Sequence, residues 1–494
     1  MSLVLGIDIG TQSVKAVIYD AEQRLITASA ACELSLSQRT DGSAEQHPDQ
    51  WLDALATVTE QLRDDHLKSV QAVAISGQQH GLVAIDKQNH VLAPAKLWCD
   101  TSTVTQAEEI MVRAGGADRC IDIAGNPILV GYTASKILHL KQTQPDRYDQ
   151  IDSILLPHDY VNLVLSHERS MECGDASGTG LLDIRTRRWS QPMLDALDPD
   201  RDIGPLLPTP RQGLGPIGAV TRTAAARFGL PEGIPVATGG GDNMMAAIGT
   251  AATSPGRLTM SLGTSGTVFG YSDAPVIDPR GEIAAFCSST GGWMPLMCTM
   301  NCTVTTELLR GLLSADIDQM ESVIASAPIG SDGVTVVPFF GGERTPNLPN
   351  GRGSIMGLTN TNLNQNNLLR AGAEGASFAL RYGVDRLQEL GIKASEITLT
   401  GGGSNSASWR QIIADICNVP TRVCNNAEGA AFGAALQALQ LLAPDSSIAD
   451  IANNHVAFDD AKEAFPDIDN VARYQDYYQR YQDYVSALRP LYKT

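Results

Sequence analysis

The segment VLGIDIGTQSVKAVIYD, Val4 to Asp20, reads as two strands folded on a tight turn. Val4, Leu5, Ile7 and Ile9 make the first strand apolar, Gly10 and Thr11 break it, and a second apolar strand follows. One carboxylate, Asp8, stands inside the first strand. An isolated charge in a buried strand is costly, so Asp8 either meets backbone donors at the turn or faces a polar cleft.

A second segment repeats this grammar. IDIGTQSVKAVIY from Ile7 aligns with MSLGTSGTVFGYS from Met260, which sets Gly10 and Thr11 against Gly263 and Thr264. A Gly-Thr turn serves any hairpin, but two copies point to duplicated lobes, each opening on a hairpin. Short glycine turns also expose backbone N–H groups to phosphate oxygens. The copies differ at one position: Asp8 corresponds to Ser261. A carboxylate in one lobe suits magnesium beside a nucleotide polyphosphate, while the other lobe offers neutral donors.

Around these hairpins, strand-like and helix-like patterns alternate, which predicts an α/β fold. HPDQWLDALATVTEQLRD has Pro48 at a first helical position and Trp51, Leu55, Val58 and Leu62 at helical spacing. VQAVAISGQ reads as a buried strand ending in a polar GQQHG. Further helices are expected after Asp242, in LLRAGAEGASFALRYGVDRLQELG, in WRQIIADICN and in GAAFGAALQALQLL, and the tail reads as a solvated, mostly helical extension.

A chain of 494 residues is too long for one ordinary core and favours two or three domains. Its net charge of -19 repels nucleic acid and anionic membranes, which excludes both as expected partners. The nine cysteines contain no CxxC pair and fit reduced thiols in a cytoplasmic protein. CTMNC could bring Cys298 and Cys302 one helical turn apart, but no second pair completes a zinc site. No basic leader and no run of about 18 apolar residues is present, so neither export nor a membrane anchor is expected.

Three clusters carry candidate chemistry. ATGGGDNMMAAIG sets Gly239, Gly240 and Gly241 before Asp242 and Asn243 at a helix start. Asp242 could cap that helix, but capping needs no triple glycine, and a general base for an attacking hydroxyl fits better. TLTGGGSNSASW offers Gly402, Gly403 and Asn405 or Ser406 to an adenosine, without matching a dinucleotide fingerprint or a P-loop. ISGQQHG brings Gln79 and His80 to a strand end, where amide and imidazole suit a polyhydroxylated ligand. KLWCD adds Trp98 and Asp100, an apolar face and a carboxylate of the kind that bind sugars, or else core and a loop cap.

GIDIGTQSVKAVIYD, SGQQHG, LWCD, DASGTGLLDI, GGGDN, MSLGTSG, PFFGGERTPNLP and GGGSNSASWRQIIADI, in that order, resemble the FGGY carbohydrate kinases over nearly the whole chain. The resemblance is greatest to those members that phosphorylate xylulose. It implies two actin-like, ribonuclease-H-like domains flanking an active-site cleft, with ATP and Mg²⁺ on one side and a ketose on the other. The domains implied are 1–247, with sugar site, first hairpin and catalytic aspartate; 248–440, for nucleotide; and 441–494, the helical extension. By resemblance Asp242 is the proton acceptor and Asp8 the strand aspartate needed for activity, at the metal. Gln79, His80, Asn243 and Trp98 would contact sugar, and Gly10, Thr11, Gly263, Thr264, Gly402, Gly403 and Asn405 the nucleotide. The implied reaction is ATP-dependent conversion of a ketopentose, D-xylulose first, to its 5-phosphate. D-ribulose, L-xylulose or another polyol are the alternatives, and an actin-like ATPase the more distant one. A homodimer is a family-level expectation. The chain departs from the family in having Gln79 where many members carry Met, and Cys99 and Ser102 in the segment after Trp98.

Overall fold

In a computed structural model, which describes residues 2–63, 66–212, 214–426 and 428–492, the opening segment forms the antiparallel pair Leu3–Ile9 and Ser13–Asp20, with Asp8 opposite Lys15. Leu25–Glu33 continues the meander. On the other flank of the first strand, Val70–Gly77 runs parallel to it with Asp8 beside Ser76, and Pro235–Ala237 and Pro216–Ala219 complete that side.

The second sheet repeats the plan. Arg257–Leu262 pairs antiparallel with Gly266–Gly270, and Trp293–Thr299 and Ala284–Cys287 extend that flank. On the opposite flank Glu396–Thr400 runs parallel, with Ser261 beside Thr400, and Thr421–Val423 follows. Asp8 and Ser76 in one lobe thus occupy the places of Ser261 and Thr400 in the other. The architecture is the expected α/β pair of ribonuclease-H-like lobes.

Strand alternation explains why Asp8 is tolerated. Leu3, Leu5, Ile7 and Ile9 point to one face and pack with Trp51, Leu55 and Val58 of the helix Pro48–Gln61; each buried side chain contributes roughly 1.5–3 kcal/mol. Val4, Gly6 and Asp8 point to the other face. Val4 joins a second core with the helices Asp242–Gly249 and Gly429–Leu442. Gly6 lies under Ala431 and Ala435 of the latter helix. Asp8, next along that face, lies past the covering helix and lines the cleft.

Those two helices form the joint between lobes. Gly429–Leu442 comes late in the chain yet packs on the first sheet, against Leu3–Ile9 and Val70–Gly77, and crosses Asp242–Gly249. They meet backbone to backbone: a Cβ on Gly249 would strike the carbonyl of Gly429, and one on Gly433 the carbonyl of Met245. Lys15 bridges to Glu428, just before the late helix, at 3.0 Å.

Three expectations are corrected. Cys298 ends in the strand Trp293–Thr299 while Cys302 precedes the helix Thr303–Leu312, so the two thiols are not stacked on one helical turn. The tail is not simply solvated: Tyr474, Tyr478 and Tyr481 of the helix Ile468–Leu488 are buried in the second-lobe core beside Phe378. Ser406 is the N-cap of Ala407–Cys417, accepting from the Trp409 N–H and bonding Glu321, so it does not serve as a free adenosine contact. Among the described residues no helix is long and apolar enough to cross a membrane.

Candidate active site

A cavity of about 600 Å³ lies between the lobes. Asp8, Gln79, His80, Trp98, Asp242 and Asn243 all line it, although they come from four separate stretches of sequence. The second lobe contributes Ser261, Thr267, Phe286 and Arg344. Gly10, Thr11, Gly263, Thr264, Gly402, Gly403 and Asn405 lie outside this lining, at the turns that follow their strands.

Asp242 opens the helix Asp242–Gly249, whose N-cap is Gly241. Its Oδ1 accepts the backbone N–H of Asn243 at 2.7 Å and the Asn243 amide at 3.0 Å. Burial, then the nearby negative charge of Asp8, push its pKa up to about 7, against the Asn243 hydrogen bonds. A carboxylate poised there exchanges protons near neutral pH, as a general base requires. Asp8 is held by Ser76 Oγ, which donates to Oδ1 at 2.7 Å. Burial raises its pKa as well, against Ser76 and Lys15.

Gln79 lines the cavity and is also engaged by its neighbours. Its Oε1 accepts from Asn243 Nδ2 at 2.7 Å, and its Nε2 lies 3.0 Å from Met244 Sδ. The Gln79 amide therefore orients Asn243, which in turn bonds Asp242. Trp98 spends its indole N–H on Thr11 Oγ1 at 3.0 Å and presents its ring to the cavity. Asp100 does not join the site: it is fully buried and bound by Lys96, Ser102 and the Ala44 N–H.

The first glycine turn is locked rather than open. Gly10 N–H donates to Ser13 O, Thr11 Oγ1 donates to Gln78 Oε1, and Gln46 Nε2 donates to Thr11 O. Gln46 also receives the Trp51 indole N–H. The Gly10 N–H is therefore engaged inside the turn. In the other lobe Gly402 faces open space, and Gly403 packs on Leu262 and Trp409.

Several site residues carried no role in the sequence reading. Asp175, in the DASGTG stretch, accepts both the backbone N–H and Nδ1 of His80, at 3.1 and 3.0 Å. Tyr132 and Phe286 flank the His80 ring with centroids at 5.3 and 5.4 Å, and Tyr132 Oη is buried at the cavity wall without a partner among the described residues. Lys136 is fully buried and donates to the carbonyls of His80 and Gly131, both at 2.7 Å. Arg344 comes from GGERTP, whose Glu343 is buried and bound by Thr299 and the Met300 N–H. The DASGTG and GGERTP motifs were the available signals; nothing local marked Tyr132 or Lys136.

Polar side chains flanked by aromatic faces, beside a carboxylate titrating near neutrality, can bind a polyol and remove a hydroxyl proton. The N-terminal domain model of the FGGY family of carbohydrate kinases matches residues 3–249, and the C-terminal domain model matches residues 258–441. A xylulose kinase of Haemophilus influenzae is 39% identical over 493 residues, spanning 98% of this chain and 100% of its own length. That of Escherichia coli is 34% identical over 456 residues, spanning 91% and 92%. Among solved structures, xylulose kinase from Rhodospirillum rubrum superposes with a TM-score of 0.91 at 25% identity, covering 100% of both chains. Gluconate kinase from Lactobacillus acidophilus superposes with a TM-score of 0.92, also at 25% identity, covering 99% of both. With both domains matched and relatives similar over nearly the full chain, the chain belongs to the FGGY family of carbohydrate kinases.

Proposed function

We propose that this kinase transfers the γ-phosphoryl group of ATP to the terminal hydroxyl of D-xylulose, giving D-xylulose 5-phosphate and ADP. The observation that carries the chemistry is Asp242, at the cavity wall with a pKa of about 7 and a second carboxylate, Asp8, near enough to raise it. The ketose is favoured by relatives bearing that activity in their names over the full chain. Asp242 accepts the hydroxyl proton as the oxygen attacks the γ-phosphorus, and the bond to the bridging oxygen of the departing ADP breaks. His80, Tyr132 and Trp98 orient the sugar, and Asn243, steadied by Gln79, holds the carboxylate.

The donor set at Asp8 fits a divalent cation that arrives with the nucleotide. Among the described residues no three ligating side chains gather at one point, and Mg²⁺ takes one or two carboxylates, waters and substrate phosphates. Asp8 would hold it, and the cation would offset charge on the transferring group. The turns at Gly263 and Gly402 are assigned to the nucleotide, and the lobes, divided near residue 248, to closure over both substrates. All nine cysteines are unpaired, in keeping with a reducing cytoplasm.

The test is ADP release measured across D-xylulose, D-ribulose, L-xylulose and gluconate, compared by kcat/KM. D-xylulose is expected to lead by at least about tenfold, and a higher value for any other sugar would reassign the substrate. Release of ADP at one rate with and without any sugar would instead support an ATPase. For Asp8→Asn, turnover is expected to fall at least about tenfold and to recover in part as Mg²⁺ is raised. Unchanged kinetics would leave Asp8 a purely structural role.

A further inference from the structure

Behind the sugar side of the cavity lies a buried line of ionisable groups that phosphoryl transfer does not use. Asp175 is fully buried between two imidazoles. Its Oδ1 takes the backbone N–H and Nδ1 of His80. Its Oδ2 lies 3.4 Å from Nδ1 of His158, whose Nε2 is 2.9 Å from Asp159 Oδ1. The two His158 contacts are ion pairs out of line for hydrogen bonds. Burial opposes charge on His158, but Asp159 and Asp175 outweigh it and raise its pKa well above the usual value. Burial would likewise push Asp175 up, yet the two histidines hold it at about 2.

An ionised carboxylate can only accept hydrogen bonds. Since Asp175 Oδ1 already accepts the His80 backbone N–H, the ring nitrogen beside it must carry the proton. Burial lowers the His80 pKa against the pull of Asp175, which favours the neutral ring, and a neutral ring protonated at Nδ1 leaves Nε2 with its lone pair. His80 lines the cavity with its side chain 10% exposed; with Nδ1 turned to Asp175, Nε2 is the ring nitrogen left for a ligand. The residue is held from every side. Its φ of 62° is a left-handed conformation unusual for histidine; Thr133 and Lys136 grip its carbonyl at 3.1 and 2.7 Å; and its ring lies on Gly178, where any Cβ would collide with it. Such over-determined strain marks a side chain whose direction matters.

We propose that Asp175, backed by His158, is the positioning residue of the sugar subsite: it fixes His80 as the Nδ1–H tautomer, so that Nε2 meets the ketose as a hydrogen-bond acceptor. The subsite then selects for a hydroxyl that donates at this point, a requirement an Nε2–H tautomer would reverse. The ligand rests on the ketose kinase reading; the tautomer does not.

Imidazole ¹⁵N spectra of the full-length enzyme at pH 8 without sugar test the tautomer directly. With eight histidines in the chain, the His80 resonances are those missing from H80Q. A protonated Nδ1 and bare Nε2 are expected; an Nε2–H ring would overturn the proposal. In wild type, exchanging the contacted hydroxyl for fluorine should cost as much kcat/KM as exchanging it for hydrogen, about tenfold or more, because fluorine cannot donate. Full retention of activity by every monofluoro ketose would count against it. Asp175→Ala, which removes the acceptor that an Asn would keep, is expected to raise the ketose KM at least about tenfold, change the ATP KM less than twofold, and move the His80 resonances toward the other tautomer. A variant that folds with its KM and tautomer unchanged would also overturn it; if the variant does not fold, the wild-type spectrum and fluoro series decide. Absence of sugar-dependent ADP release from wild type would remove the ketose reading and leave the tautomer standing.

Discussion

Asp242→Asn is expected to lower kcat with the best ketose by about 10²- to 10⁴-fold while leaving both substrate KM values within a few-fold. The exchange is nearly isosteric, and an asparagine Oδ1 can still accept the Asn243 N–H that Asp242 accepts now. What disappears is the ability to take a proton. The pH dependence follows from the same residue. Only the ionised form is a base, and burial with the Asp8 charge raises its pKa to about 7, so kcat/KM should fall tenfold per pH unit below pH 7 and level off above it. Stability runs the other way. A carboxylate whose folded pKa lies above its unfolded value favours the fold while protonated, and that contribution is lost as pH rises through 7. At pH 8 the wild type carries the cost of the ionised pair and the Asn variant does not. The variant should therefore melt higher than wild type at pH 8, with the gap closing at pH 5. Near wild-type turnover in Asp242→Asn would remove the base assignment.

How far the sequence could be read depends on whether a signal was local. The Val4–Asp20 hairpin and its copy at Met260 carry strand periodicity, turn and register in a few residues. They predicted the two lobes and the Asp8 and Ser261 correspondence. Asp242 and His80 were legible for the same reason, each at the end of a short patterned stretch. Partners were not. That Gln79 would bond Asn243 depends on two segments 164 residues apart in sequence. Asp175 reaches His80 across 95 residues, and Phe286 arrives from the other lobe. Trp98 and Asp100 sit two residues apart in one motif, yet only the first lines the cavity, because Lys96 and the Ala44 N–H claim the carboxylate. The tail tyrosines recur at helical spacing, 474, 478 and 481, but their polar neighbours masked a stripe that the second lobe buries. At the first glycine turn the Gly10 N–H is bonded to Ser13, a contact three residues away that the turn motif itself did not specify.

The late helix GAAFGAALQALQLL holds a second effect, on stability as well as turnover. Gly429 and Gly433 stand four residues apart, on one face of that helix, and this face meets Met245 and Gly249 of the helix that begins at Asp242. Contact is so close that a methyl group at Gly433 would overlap the Met245 carbonyl oxygen, a backbone atom that cannot swing aside. Gly433→Ala must therefore force the helices apart, at a cost of about 3 kcal/mol, the upper end for overpacking. Because Asp242 is the first residue of the displaced helix while Asp8 is fixed in the sheet by Ser76, the same shift moves the base relative to its partner. Both melting temperature and kcat should fall. An alanine in place of glycine is not harmful in itself: Gly311, exposed in the helix Thr303–Leu312, has nothing within 4 Å of the point where a methyl group would sit, and Gly311→Ala should instead stabilise by roughly 0.5 kcal/mol through lost unfolded-state freedom. Opposite signs from one chemical change isolate the helix crossing as the cause. Equal melting temperatures for Gly433→Ala and wild type, with turnover preserved, would show that the lobes do not depend on this contact and that Asp242 is positioned by its own loop alone.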